Sequence, residues 1–183
     1  MIQMHTPLTK DKVEQLSCGD QVLLTGTVYT SRDAGHKRMI EQLKNNQPLP
    51  FPIENSIIYY VGPAPAREGE VIGSAGPTTS YRMDEFTPKL LDLGLTGMIG
   101  KGDRNQEVID SMIKNKAIYF GAVGGAAALL ANCIKESKII AYEDLGPEAL
   151  RELYVEDFPV TVVIDSKGNN LYKKGKARKQ YML

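Results

Sequence analysis

The feature that most constrains this sequence is a regular alternation of short apolar runs with helical patterns. The runs are rich in β-branched and aromatic residues, which favour strands, and the segments between them place apolar residues at helical spacing. Strands are predicted at 21–29, 56–61, 71–75, 97–100, 117–120, 138–142, 153–155 and 159–164, and helices at 32–45, 89–93, 105–115 and 124–134. Strands and helices that alternate at these lengths form βαβ units and a parallel sheet, so the chain is predicted to be an α/β domain.

Length and charge narrow the class of protein. The 183 residues suggest one domain of ordinary size, 1–183, of which 171–183 is a basic tail. The 22 basic residues balance the 22 acidic ones, so no global field draws the chain to nucleic acid or to an acidic membrane. The tail lacks interleaved aromatic residues, which favours a solvated, frayed end over a nucleic-acid site.

Two cysteines, Cys18 and Cys133, bear on compartment and metal content. They could form a disulfide, but separate thiols in a reducing compartment are the favoured interpretation. No motif supplies enough cysteine or histidine ligands for a zinc or iron–sulfur site, so no metal is predicted on this chain. No secretory leader and no run of membrane-spanning length is evident. The chain is therefore expected to be cytoplasmic.

The segment 73–84 is the strongest candidate for a binding site. A turn at Gly76-Pro77 precedes three hydroxyl residues, 78–80, which are suited to cap a first helical turn. Arg82 follows Thr78 by about one helical turn, so both side chains can face one point. A hydroxyl, free amides and a guanidinium predict a carboxylate or phosphate pocket. Taken alone, the segment is better explained as an ordinary loop and N-cap.

The ends of the other strands strengthen the prediction, because ligands bind beyond the carboxyl ends of an open parallel sheet. The side chains at those ends are Arg32, Asp33 and His36 after strand 21–29, Thr78, Thr79 and Arg82 after strand 71–75, and Lys101 between two glycines after strand 97–100. A glycine-rich turn, 121–125, follows the next strand. His36 is as well explained by a helix surface as by catalysis. With binding groups but no strong base, the residues predict half of a site, completed by a partner.

Several motifs in order carry a family resemblance. They are 31–38, 76–79, 82–84, 87–91, 97–102, 121–128 and 155–159. Over nearly the whole chain they resemble the class I (iron–sulfur) fumarase family, and more narrowly its β subunit, equivalent to the C-terminal domain of the single-chain enzymes. The related tartrate dehydratase β subunit shares the motifs at 76–80 and 100–102. The sequences at 32–36 and 124–128 resemble fumarase more than they resemble the tartrate dehydratase β subunit.

The resemblance implies a fold, a cofactor and a partner. The fold is a swivelling β/β/α domain, in which a parallel sheet with flanking helices is joined by a second, smaller sheet. The cofactor is a four-iron four-sulfur cluster, held by a partner α subunit and not by this chain. The implied assembly is a hetero-oligomer, and the chain alone could form a homo-oligomer.

The resemblance also implies roles for individual residues. Arg32, Arg82 and Lys101 bind the carboxylates of a small dicarboxylate substrate, and Thr78 is the catalytic proton-transfer residue. A Thr hydroxyl is a poor base unless its proton is relayed onward. Asp33, Asp84 and the partner are the candidates to complete a relay, with Thr79 and His36 as supporting residues. The implied reaction is malate to fumarate plus water. The alternatives are a tartrate dehydratase β subunit, which converts tartrate to oxaloacetate, and a non-catalytic anion-binding module.

Overall fold

Seven strands form one mixed sheet in a computed structural model that describes residues 1–122 and 127–180, and of 176–180 only the backbone. The strands are β1 (Ile2–His5), β2 (Gln21–Thr30), β3 (Ile57–Tyr59), β4 (Gly97–Gly100), β5 (Ile118–Ala122), β6 (Ile134–Ala141) and β7 (Leu150–Ile164). Their order is β1-β2-β3-β4-β5-β7-β6. The strands β1 to β5 are parallel to one another, which confirms the predicted parallel sheet.

The long strand β7 closes the sheet on itself. It runs antiparallel to β5 and also to β2, so β2, β3, β4, β5 and β7 form a closed ring of five strands. The strand β6 pairs antiparallel with β7 alone. The expected second sheet is therefore not separate, because β7 is hydrogen-bonded to both β2 and β5. The two late strands predicted at 153–155 and 159–164 are one strand of 15 residues.

Six α-helices and two 3-10 segments accompany the described strands. The helices are α1 (Lys10–Glu14), α2 (Asp33–Lys44), α3 (Thr87–Asp92), α4 (Gln106–Asn115), α5 (Ala127–Asn132) and α6 (Leu171–Gln180), and the 3-10 segments are Tyr81–Met83 and Glu143–Glu148. Helix α4 is capped by Asn105, whose side chain accepts the amide N–H of Val108. Helix α6 corrects the prediction of a frayed basic tail over 171–180. None of these helices is long and apolar enough to cross a membrane.

Alternate residues of the ring strands pack into two separate cores, as the period of two requires. Ile57 and Tyr59 of β3 belong to a core that draws on all five strands of the ring. Ile58 and the following Tyr60 belong to a second core, which receives the apolar faces of α2, α3 and α4. Both faces of the central strands are therefore buried, which explains why their sequences read as continuous apolar runs.

Two sequence-based predictions near the site are wrong or incomplete. The segment 71–75 is not a strand but part of a long loop between β3 and the 3-10 turn. That loop is held by its backbone, because Ala64 N donates to Ser74 O at 2.9 Å. The helix predicted from residue 124 is described only from Ala127, and 123–126 lie outside the described residues.

Gly100 at the end of β4 offers a test of this packing. A Cβ there would lie 2.0 Å from Ser80 Oγ and 2.8 Å from Tyr60 Cδ2. We expect Gly100→Ala to lower the free energy of unfolding by about 1–3 kcal/mol, because both neighbours are fully buried and would have to shift. Chemical denaturation measures the change. Gly175→Ala is the control, since nothing lies within 4 Å of its added carbon; equal effects of the two changes would contradict the packing argument.

Candidate active site

Arg82 links two of the predicted site residues. Its Nη2 donates to Thr78 Oγ1 at 3.0 Å, and its Nε donates to Asp33 Oδ2 at 2.9 Å. Thr78 lies in the loop before the 3-10 turn, Arg82 lies in that turn, and Asp33 is the first residue of α2. The loop and the end of β2 therefore meet at one polar cluster. The spacing of one helical turn between Thr78 and Arg82 correctly indicated that the two side chains meet.

The backbone amides near Thr78 are arranged differently from the prediction. Thr78 N donates to Tyr60 O at 2.8 Å, and Ser80 N donates to Lys101 O at 2.8 Å. Neither amide is free for an anion. Thr78 also caps no helix, because Ser80 occupies the N-cap position of the 3-10 turn and makes no side-chain cap hydrogen bond. These two amides therefore contribute nothing to the binding of an anion.

Lys101 joins the cluster through its backbone. It follows β4 directly, and Thr79 and Lys101 form a parallel β-bridge. Lys101 N also donates to Ser80 Oγ at 3.1 Å. The bridge extends the parallel sheet by one residue, which is why the loop and the end of β4 share one edge although 71–75 is not a strand. The Lys101 side chain is exposed there.

A hydrogen-bonded chain behind Lys101 fixes the shape of its turn. Tyr119 Oη donates to Gly102 O at 2.8 Å and lies 2.7 Å from Ser80 Oγ. Since the Tyr119 proton is used on the carbonyl, the Ser80 hydroxyl donates to Tyr119 Oη and accepts the Lys101 amide. Each group in this chain has one role, so the orientation of all three hydrogen bonds is set.

Arg32 follows β2 and lies close to the backbone of the next strand. A Cβ on Gly62 would be 2.8 Å from Arg32 Nη1, so glycine is needed for the guanidinium to pass. Arg32 Nε lies 3.8 Å from Glu148 Oε1, an ion pair too long for a hydrogen bond. Among the described buried side-chain atoms, Arg32 Nε and Asp33 Oδ1 have no hydrogen-bond partner. Glu148 was not found from the sequence, because its segment, 147–151, predicts only a short helix with proline at its start.

His36 is a buried residue, not a helix-surface residue. It is 1% exposed, and its Nδ1 lies 2.9 Å from both Arg32 O and Ser31 Oγ. Because a carbonyl only accepts, Nδ1 carries the proton of the neutral ring. Burial lowers the pKa of His36 to about 4, although the hydrogen bond to Arg32 O acts in the opposite direction. His36 therefore fixes the backbone of Arg32.

Asp84 points into the protein, away from any relay at the surface. Its Oδ1 accepts Arg104 Nε at 2.6 Å, and its Oδ2 accepts the amide of Asn105 at 2.9 Å. The side chains of Asp84 and Arg104 are 7% and 0% exposed. The suggestion that Asp84 relays protons is thus replaced by a buried ion pair. Sequence reasoning missed Arg104 because a lone arginine after glycine and aspartate is typical of a solvated turn.

The described residues do not offer ligands for an iron–sulfur cluster. Within 1–122 and 127–180, no group of three histidine, cysteine, aspartate or glutamate side chains is arranged to hold a metal ion. The two thiols lie apart: Cys18 Sγ contacts Val163 O, and Cys133 Sγ contacts Leu129 O and Asp157 O. The cofactor implied by the resemblance therefore does not fit this chain's own donor set.

The glycine-rich turn is described only at Gly121 and Ala122, which end β5, and its remaining residues lie outside the description.

The family model for the fumarase C-terminus matches residues 1–175. This chain belongs to that family. It is 38% identical to fumarate hydratase 2 of Leishmania major over 177 residues, which cover 94% of this chain and 31% of the relative. It is 38% identical to the aerobic class I fumarate hydratase of Escherichia coli over 94% of this chain and 32% of the relative.

A third relative is closer in length. The putative L(+)-tartrate dehydratase subunit beta of Methanocaldococcus jannaschii is 40% identical over 91% of this chain and 89% of the relative. The chain thus spans about a third of the two fumarate hydratases and nearly all of this subunit. The match confirms the family resemblance, and it corresponds to one part of the longer enzymes.

The buried His36 predicts a pH dependence of stability. The unfolded chain takes up its proton near pH 6.5 and the folded chain only near pH 4, because burial opposes the charged ring. The unfolded state therefore binds more protons in this window, and stability falls as the pH drops from 6.5 to 4. The loss is at most about 3 kcal/mol, and it levels off below pH 4. Denaturant titrations at several pH values measure it.

His36→Asn separates this histidine from the other titrating groups, since an amide can occupy the Nδ1 position without charging. We expect the His36→Asn variant to lose most of the stability change between pH 6.5 and 4. His5→Asn is the control, because His5 is exposed and is the other of the two histidines. Identical slopes for the parent and His36→Asn would contradict the assignment.

Proposed function

We propose that this chain is the β component of a hydro-lyase that interconverts malate with fumarate and water, in complex with a cluster-bearing α subunit. Membership of the fumarase C-terminus family supports the reaction class. The observation that carries the proposal is the contact of Thr78 Oγ1 with Arg82 Nη2, at an edge that Lys101 joins through the bridge to Thr79. A hydroxyl and cations at one edge suit a dicarboxylate.

In this proposal, the cations bind the substrate carboxylates. Arg82 and Lys101 each pair with one carboxylate, and Arg32 adds a third positive group at the end of β2. A charge-assisted hydrogen bond contributes about 1.5–3 kcal/mol, so such contacts carry much of the affinity for a small diacid. Arg82 already holds a carboxylate, that of Asp33, in an exposed ion pair. Because exposed pairs are weak, a substrate carboxylate can replace Asp33 at little cost.

Thr78 holds the proton in this scheme. Dehydration of malate removes a proton from the carbon next to one carboxylate and releases hydroxide from the neighbouring carbon, giving fumarate and water. Arg82 Nη2 donates to Thr78 Oγ1. The positive charge of Arg82 therefore stabilises the Thr78 oxygen when the Thr78 hydroxyl has lost its proton. The same contact leaves the Thr78 hydroxyl proton free to point at a substrate carbon in the hydration direction.

The proposal assigns the four-iron four-sulfur cluster to the α subunit, since the described residues of this chain lack the ligands for it. A cluster-bearing partner would complete the half of the site that this chain leaves open.

We also propose the swivelling β/β/α class for the domain. The parallel strands β1 to β5, the antiparallel pair β6 and β7, and the helices over the second core support this class.

A second candidate is the tartrate dehydratase β subunit. The Methanocaldococcus jannaschii relative that carries this name matches over 89% of its own length, whereas the fumarate hydratases are about three times longer. Separate subunits therefore have a precedent of the same length among tartrate dehydratases. Tartrate differs from malate by one hydroxyl, so a single additional polar contact would distinguish the two substrates.

Co-expression with a candidate α subunit tests both candidates. The assembled, anaerobically reconstituted complex is assayed with malate, fumarate and tartrate. We expect the complex to hydrate fumarate and the isolated chain to be inactive, because the cluster lies on the partner. Turnover of tartrate alone would favour the second candidate. Turnover by the isolated, metal-free chain would contradict the proposal of a half-site, and anion binding without turnover by any complex would favour a non-catalytic module.

Thr78 offers the sharpest test of the mechanism. If Thr78 moves a proton, we expect Thr78→Ala in the assembled complex to lower kcat by about two to four decades. KM should change little, because Arg82 and Lys101 remain to bind the carboxylates. Thr78→Ser should keep part of the activity, since it retains the hydroxyl. Steady-state kinetics measures these values.

Thr79→Ala is the matched control for that experiment. Thr79 is the adjacent threonine, and its tie to Lys101 is a backbone bridge that alanine preserves. We expect its kcat to stay within a few-fold of the parent, about the effect of an ordinary surface substitution. A near-normal kcat for a cluster-loaded Thr78→Ala complex would refute the role of Thr78.

A further inference from the structure

The ion pair between Asp84 and Arg104 is the most buried charged contact among the described residues. Arg104 Nε donates to Asp84 Oδ1 at 2.6 Å, and Arg104 Nη2 donates to Thr87 Oγ1 at 2.9 Å and to Tyr60 Oη at 3.2 Å. Its guanidinium carbon lies 5.2 Å from the ring centre of Tyr60 and 5.0 Å from that of Tyr119. Hydrogen bonds thus hold the guanidinium within its plane, and the two aromatic rings pack against it.

The pair joins the two chain segments that carry the proposed carboxylate-binding cations. Asp84 comes two residues after Arg82, and Arg104 comes three residues after Lys101. The second oxygen of Asp84 accepts the amide of Asn105. The carboxylate therefore binds the segment after Lys101 through two hydrogen bonds, one to Arg104 and one to Asn105. On the other side, Tyr60 O accepts the amide of Thr78. The same network therefore reaches the segments that carry Thr78, Arg82 and Lys101.

Stability alone does not explain a charged pair at this position. Removing two charges from water costs free energy that their attraction often fails to exceed, and apolar residues of similar volume can replace such pairs without loss. What this hydrogen-bonded pair adds is direction, because the planar guanidinium can donate to Asp84, Thr87 and Tyr60 together only in a narrow range of geometries. The Asp84–Arg104 pair is thus suited to set a distance between two segments.

We propose that Asp84 and Arg104 are positioning residues that fix the separation of Arg82 and Lys101, and thereby the length of diacid that the site accepts. This inference rests on the proposed function, in which those two cations bind the two carboxylates of one substrate. The pair touches no substrate itself. Its effect on binding comes through the backbone of residues 82–84 and 101–104.

The test uses the assembled complex with Arg104→Lys, which keeps the charge but loses the fork. Inhibition constants are measured for succinate and for glutarate, which carry the same two carboxylates and differ by one methylene. In the parent, we expect succinate to bind about ten-fold more tightly. In Arg104→Lys, we expect the ratio of the two constants to fall by at least about three-fold. The value of kcat/KM should fall by about ten-fold or more, mainly through KM.

Thr96→Val is the control for a general loss of stability. Thr96 is fully buried just before β4, at the opposite end of the strand from Lys101, and its hydroxyl donates to Leu8 O at 2.5 Å. This change should lower the melting temperature and leave the ratio of inhibition constants unchanged. Asp84→Asn, measured well below its melting temperature, should shift the ratio in the same direction as Arg104→Lys.

Each outcome decides the matter. A folded Arg104→Lys complex with the parent ratio overturns the inference, and so does a shift of equal size in Thr96→Val. Failure of Arg104→Lys to fold at low temperature would make the pair purely structural and would also overturn it. A parent complex that acts on no dicarboxylate would instead refute the proposed function.

Discussion

The closure of the sheet by β7 is the constraint on which the rest of the structure depends. This strand of 15 residues runs antiparallel to both β5 and β2. Without it, the row of strands from β2 to β5 would stay open. Because the carboxyl ends of β2, β3 and β4 then sit on one rim, the segments that begin with Arg32, with Tyr60 and with Lys101 start close together. The candidate site is thus a consequence of the topology before any side chain contributes.

On that rim, buried and exposed ion pairs have different consequences. The Asp84–Arg104 pair is withdrawn from water and fully hydrogen-bonded, so breaking it would leave a charge unsatisfied. The Arg82–Asp33 pair is roughly two-fifths exposed on both sides and is worth about 0–1 kcal/mol at most. The buried pair therefore holds the backbone near Arg82 in place, while the guanidinium of Arg82 can exchange Asp33 for another carboxylate. A binding site for a carboxylate requires this combination.

The sequence predicted the parallel sheet, the contact of Thr78 with Arg82 and the position of Lys101 at the same edge, because strand–helix alternation and the ends of parallel strands follow from local patterns. It failed where contacts distant in sequence decide. Residues 71–75 look like a strand, yet a Cβ on Gly73 would lie 2.2 Å from Ala64 O, so the loop folds on itself there. The two late strands predicted at 153–155 and 159–164 are one strand, because the antiparallel ladder to β2 includes residues of both. The burial of His36 and Arg104 depends on neighbours that no local pattern reveals.

The charge balance of the cluster bears on the proposed need for a partner. Arg32, Arg82 and Lys101 supply three positive charges, and Asp33 and Glu148, paired with two of them, supply two negative ones. The net charge of plus one is less than the two negative charges of a dicarboxylate. Substrate entering this cluster alone would leave an excess negative charge as water is excluded, and that is costly. A partner that brings further positive charge to the same rim would remove the imbalance, so affinity for the diacid and assembly of the complex should be coupled.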